Sequence, residues 1–115
     1  VISVTPEPPY TAVIFTSVRS TDTAGYDQTA AEMFALVETQ PGYLGAESAH
    51  TTDGVGITVS YWVDEASARA WRLVLEHVAA QHAGIDRFYR AYRVRIATVV
   101  REHAWAKPPP DQQLT

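Results

Sequence analysis

The chain of 115 residues contains no cysteine and no asparagine. Without cysteine there are no disulfides, thiolate nucleophiles or cysteine metal ligands. Its nine lysine and arginine residues are scattered through a chain of net charge −4, so the basic stripe of a nucleic-acid binder is missing. No apolar run approaches the roughly 18 residues of a membrane span. The opening residues Val1 to Pro6 lack the charged-then-apolar layout of a signal peptide. These absences argue against nucleic-acid and membrane partners and lead us to expect a cytoplasmic protein. What is present, 46% hydrophobic and 19% charged residues, is the balance of a soluble globular domain. A chain of this length buries roughly two-thirds of its unfolded surface, enough for one core.

Tyr10 to Arg19, YTAVIFTSVR, is rich in β-branched and aromatic residues and reads as a strand. Asp22 and Thr23 stand where they can cap the next segment, in which Tyr26, Ala30, Met33 and Val37 make a helical stripe. Gln40-Pro41-Gly42 stops that helix, because proline lacks an amide hydrogen and glycine tolerates positive φ. Tyr43 to His50 and Gly56 to Trp62 read as strands joined by an Asp53-Gly54 turn, hence a hairpin. Asp64 caps a second helix, with Glu65 in its first turn and Ala68, Trp71, Leu75, Val78 and His82 on one face. Gly84 is its breaker, and Tyr92 to Arg101 alternates as a last strand before a proline-rich tail.

The order β-α-β-β-α-β predicts an α+β, ferredoxin-like domain: four antiparallel strands with both helices on one face. Residues 1–9 read as an extension, 10–104 as the domain and 105–115 as a tail. In the first strand Ala12, Ile14 and Val18 lie on one face, with Val13 and Phe15 on the other. A strand apolar on both sides wants two covers. The helices supply one, and a second copy of the sheet supplies the other, so a homodimer through the sheet faces is expected.

Six stretches carry a resemblance: PPYTAVIFTS at 8–17, QPGYLGAESA at 40–49, GITVSYW at 56–62, ARAWR at 68–72, EHVAAQ at 76–81 and FYRAYRVRIATVVR at 88–101. In these the chain resembles the antibiotic biosynthesis monooxygenase (ABM) domain, of the dimeric α/β-barrel superfamily. The resemblance implies a sheet-to-sheet dimer with one pocket per protomer between sheet and helices. It also implies oxygen chemistry on a small aromatic or hydrophobic ligand, in some members with neither metal nor flavin and in others on haem.

Trp71 matches the helix tryptophan that borders the substrate in haem-degrading relatives, and it equally suits a core position. Val74 and Val78 follow it on the helix as lining residues. His77 lies roughly 120° round a regular helix from Trp71. If the helix kinks near Leu75, His77 turns inward as acid, base or haem ligand, the roles open to neutral imidazole. His82, eleven residues on, shares the face of Trp71. Tyr89 and Arg93 offer a phenol and a guanidinium to an acidic or quinonoid ligand, or else pack and pair along the sheet. Trp62, with Ser60 and Thr58, is expected to pack away from Trp71 on the other side of the sheet. His50 and His103 read as peripheral.

Two departures thin the family's polar equipment. The haem degraders use an Asn, Trp and His set, whereas this chain has no asparagine and carries Gln81 ten residues after Trp71. Val74 occupies a place that is often polar in relatives. The sequence therefore favours a cofactor-independent monooxygenase acting on a polycyclic aromatic metabolite, with His77 managing the proton. A haem-binding or haem-degrading enzyme, a non-enzymatic carrier of a hydrophobic metabolite and a purely structural dimer remain as alternatives.

Overall fold

The computed structural model describes residues 2–81 and 85–110, with backbone alone at 79–81, 85 and 86. Four strands, β1 (Tyr10–Arg19), β2 (Tyr43–His50), β3 (Val55–Trp62) and β4 (Tyr89–Val99), accompany two helices, α1 (Tyr26–Val37) and α2 (Glu65–Gln81). A 3₁₀ turn, Ile85–Phe88, leads into β4. The sheet runs β2-β3-β1-β4, antiparallel throughout. This is the expected ferredoxin-like α+β architecture, and its element order matches the alternation and helical spacing of the sequence.

Registry fixes the faces. Thr11 pairs with Trp62, Val13 with Ser60 and Phe15 with Thr58 across β1 and β3. On the β4 side Val13 pairs with Ile96, Phe15 with Val94 and Ser17 with Tyr92. Directly paired residues point the same way, so these side chains share one face. Helix α2 covers it, because Trp71 stacks on Trp62 with ring centroids 6.1 Å apart and planes inclined by 27°.

The expectation that the two indoles serve opposite sides is therefore overturned. Trp62 does alternate away from Val59 and Tyr61, but the helices lie on its side. Trp62 is completely buried, and its indole Nε1–H donates to Ser60 Oγ at 2.9 Å. Val37, Ala68 and Trp71 complete the buried cluster, with Val13, Met33, Leu36, Tyr43, Val74 and Leu75 packed around it.

Local chemistry explains the helix ends. Asp64 accepts from the Ser67 amide at 2.8 Å, which caps α2 as expected and holds the Asp64 carboxyl below its ordinary pKa. Helix α1 departs from expectation: its N-cap is Gly25 in the left-handed conformation, with no side-chain cap. The Asp22 carboxylate is engaged instead by Arg87 at 3.3 Å. Gly42, at φ 82°, follows the α1 stop, and a Cβ there would strike Ser67 and Val63. Only glycine lets the β2 entrance pass so close to the start of α2.

Strand β4 begins three residues earlier than expected, because Tyr89 already pairs with Arg19 past a bulge in the β1–β4 ladder. Residues 100–110 lie beyond the sheet, with Val100 and Trp105 exposed. The radius of gyration is 16.6 Å, against about 13 Å for a compact chain of this length. No helix among the described residues is long and apolar enough to cross a membrane.

On the sheet face away from the helices, two carboxylates hold two phenols. Glu47 accepts from Tyr61 Oη at 2.6 Å and from the Ser3 amide at 2.9 Å. Glu102 accepts from Tyr10 Oη at 2.6 Å and from Thr5 Oγ1 at 3.1 Å. The Glu47 bond raises the Tyr61 pKa to about 12 and lowers that of Glu47, since it is made best to the ionised carboxylate and the neutral phenol.

Because Trp62 is fully sealed between the layers, Trp62→Ala should cost about 3–5 kcal/mol. Denaturant titration measures this directly, and a loss below about 1 kcal/mol would contradict the stacked core.

Candidate functional site

Helix α2 packs over β1 and β3 and leaves the helix-facing side of β4 open. Tyr92, Val94 and Ile96 belong to the helix-facing side by registry, yet they are 58%, 39% and 42% exposed. An apolar shelf therefore runs along β4 at the open edge of the two-layer sandwich. Its inner margin is Val13 and Phe15 on β1, both half-buried, where the covered core begins. Trp71, Val74 and Leu75 on α2 belong to that core.

One end of the shelf is a cluster of aromatic rings. Phe15 lies 5.5 Å from Tyr89 and 5.5 Å from Tyr92, and Tyr89 lies 6.0 Å from Tyr92. Tyr26, the first residue of α1, closes the cluster at 6.4 Å from Tyr89 and 5.5 Å from Phe88. The Arg19 guanidinium sits over the Tyr26 ring, 3.9 Å from its centroid. Such edge-to-face ring pairs orient flat side chains as well as burying them.

The Tyr89 phenol is the most perturbed group of this cluster. Burial raises its pKa, and the neighbouring Tyr26 phenol, to which it is hydrogen-bonded, raises it further, while the Arg19 charge works the other way. Tyr89 consequently stays neutral at physiological pH, and the hydrogen-bonded Tyr26–Tyr89 pair keeps one O–H free to donate. That pair can stabilise charge growing on a ligand oxygen without becoming charged itself.

The residues expected at the site divide. Tyr89 stands in the aromatic cluster. Trp71 is buried in the stack with Trp62, and Val74 packs on the same core. Val78 is half-buried and His77 is exposed, as helical spacing from Trp71 anticipates for an unkinked helix. His82 lies outside the described residues.

Arg93 pairs with Thr16 and Arg95 with Ile14, which puts both on the face away from the helices. The structure thus does not bring Arg93 and Tyr89 together. The cause is the strand period: Arg93 neighbours Tyr92 and so points oppositely. Arg19, Tyr26, Phe15, Val94 and Ile96 are the residues sequence reasoning missed. For Phe15, Val94 and Ile96 the signal was present in the odd positions of β1 and the even positions of β4, once Trp62 is known to face the helices; Arg19 and Tyr26 carried none in their own stretches.

A second concavity, at the β2 edge, is an open depression lined by Ile2, Phe34, Ala46, Glu47, Ser48 and Tyr61. Its one carboxylate, Glu47, already has both oxygens engaged, by Tyr61 and Ser3. Among the described residues no three His, Cys, Asp or Glu side chains gather to hold a metal ion. For haem, the donor set also fits poorly: His77 is the only described imidazole on α2, and it faces outward.

The sequence model described as antibiotic biosynthesis monooxygenase matches residues 9–83. The uncharacterized protein YqjZ of Bacillus subtilis (strain 168) is 50% identical over 101 residues, covering 88% of this chain and 89% of the relative. Among solved structures, SnoaB, a cofactor-independent oxygenase from Streptomyces nogalater, superposes with TM-score 0.60 at 13% identity, covering 87% of this chain and all (100%) of SnoaB. The heme-degrading protein Rv3592 from Mycobacterium tuberculosis gives TM-score 0.53 at 18% identity, over 85% of this chain and 100% of that one. At such identities these two likenesses speak for the fold.

The perturbed phenol can be checked by ultraviolet titration. Tyr89→Phe should remove one late-ionising tyrosine and leave that of Tyr61. Because the folded state holds the Tyr89 proton more tightly, its contribution to stability is complete below the ordinary phenol pKa of 10.0 and is lost as pH rises through the higher folded value. A wild-type alkaline profile that matches Tyr89→Phe would contradict the assignment.

Proposed function

The chain belongs to the antibiotic biosynthesis monooxygenase domain family, and from that premise we propose that it binds a flat aromatic metabolite on the β4 shelf and oxidises it with dioxygen, without a cofactor. The observation that carries this reading is the exposure of Tyr92, Val94 and Ile96 on the side of the sheet that should be covered. A ligand lying there completes the layer. Roughly 25 cal/mol for each Å² of apolar surface removed from water favours its binding.

The chemistry follows from what the shelf offers. A methylene flanked by rings in a polycyclic phenol loses a proton, and the resulting carbanion bonds to one oxygen of dioxygen. The O–O bond then breaks as the second methylene proton leaves. One oxygen stays as a carbonyl and the other departs as water, so the four electrons lost by carbon are those gained by dioxygen. Within this scheme the free O–H of the neutral Tyr26–Tyr89 pair donates to the substrate oxygen that gathers charge when the first proton goes. The rings of Phe15 and Tyr92 hold the substrate plane. The proton itself passes to solvent at the open edge.

A haem-degrading role is the weaker reading, because no asparagine exists in the chain. A non-enzymatic carrier uses the same shelf and differs only in consuming no oxygen.

Anthrone is a suitable probe, having one such methylene. Wild-type protein should accelerate oxygen uptake and form anthraquinone, and Val94→Asp should reduce binding at least about tenfold by placing a charge under the ring. Leu73→Asp, on the exposed side of α2, should leave it unchanged. Binding without oxygen uptake would favour the carrier. A Soret band on adding haemin, with no anthrone response, would favour haem.

We further infer a homodimer formed through the uncovered sheet face. That face presents Ile14, Val59, Val55 and Ile57, the last 47% exposed. A stable interface of that kind takes about 800 Å² from each partner, here centred beside the Tyr10–Tyr61 corner. Sedimentation velocity should give a dimer for wild type and a monomer for Ile57→Asp. A wild-type monomer at micromolar concentration would end this reading.

A further inference from the structure

The shelf ends in a cation whose purpose the fold does not explain. Arg19 is the last residue of β1 and lies on the helix-facing side, half-buried. The ion pairs found among the described residues are Arg69–Glu65, Arg72–Glu76 and Arg87–Asp22. Arg19 has no carboxylate partner there. Its nearest acidic neighbour in sequence, Asp22, is occupied by Arg87 at 3.3 Å. A half-buried guanidinium normally finds a carboxylate or a phosphate, because its planar fork suits two parallel bonds to such a group.

What Arg19 has instead is an aromatic seat. It stacks on Tyr26 at 3.9 Å. Tyr26 in turn meets Tyr89, which meets Phe15 and Tyr92. The stack fixes the guanidinium plane while leaving its donors unpaired with any acid. Its charge also reaches the Tyr89 phenol, whose ionisation it favours against the effect of burial.

We propose that Arg19 is the ionic anchor of the shelf, binding a single ionised oxygen group on a flat aromatic ligand whose rings lie on Phe15, Tyr92 and Val94. This rests on the shelf reading above and narrows it: the ligand is an aryl anion, a carboxylate or an ionised hydroxyl, rather than a neutral hydrocarbon. Two phenols stand beside the anchor, bonded to each other with one O–H to spare, so the same oxygen group receives a neutral donor from the Tyr26–Tyr89 pair and a charged one from Arg19. A ligand so held presents its edge to the cation and its face to the apolar strand. The anchor thereby selects one orientation out of the several that a bare apolar shelf would accept.

The test compares 2-naphthoate with 2-naphthamide, which share a ring system and differ in charge, by calorimetric titration of the full chain. Wild type should prefer naphthoate by about tenfold, the scale of one charged hydrogen bond. Arg19→Gln should abolish the preference while leaving naphthamide affinity within about twofold. Arg93→Gln, on the opposite face, should keep it. If Arg19→Gln does not fold by circular dichroism, Arg19→Lys is read in its place, with the preference expected to fall by about threefold or more as the planar fork is lost. Naphthamide binding with no naphthoate preference, or a preference that survives loss of Arg19, overturns the anchor and leaves the shelf standing. Failure of both probes to bind overturns the shelf and the anchor together.

Discussion

The sheet has two faces, and its helices take only one of them. Here the choice is made by two indoles. Trp62 at the end of β3 and Trp71 on α2 stack at 6.1 Å, and the turn between them is too short for α2 to reach the other side. The stack draws Val37 and Ala68 into the same cluster. It also sets the height of the helix layer over the centre of the sheet and so leaves the β4 edge without a cover. Core and shelf are two results of one contact.

The order of strands and helices was legible because each element carries its own period. The stripe Tyr26, Ala30, Met33, Val37 and the alternation in YRVRIA need no knowledge of the rest of the chain. Which face the helices take was not legible, because alternation groups residues without orienting the groups. In β3 the composition points the wrong way: Ile57, Val59 and Tyr61 lie on the uncovered face, while Thr58 and Ser60 lie under the helices. Ser60 is tolerated in the core because its hydroxyl accepts the indole hydrogen of Trp62, which removes the cost of burying both groups. A pair of polar atoms that satisfy each other looks like surface in a one-dimensional reading.

The same inversion explains how the candidate site changed. Tyr89 was visible as an aromatic residue beside the last strand. Arg93 was visible too, but it shares the face of Ile14 and Thr16 and so belongs with the proposed dimer surface. Arg19 was hidden because nothing within its own stretch marks it. Its significance comes from Tyr26, brought near by the helix crossover, and from Arg87, 68 positions later, which occupies the acid Arg19 would otherwise have had.

The two phenol–carboxylate pairs on the uncovered face have a consequence for the path of the chain. Thr5 Oγ1 lies 3.1 Å from Glu102 Oε2, although 97 positions separate the two residues. The chain therefore enters and leaves the fold at one corner, with Tyr10 between the two segments. A short polar linker could join the segments there and new ends be opened at the Asp53-Gly54 turn, giving a circular permutant that keeps every strand in register. Thr5 and Glu102 are, in effect, the two halves of a clasp that hydrogen bonds hold shut.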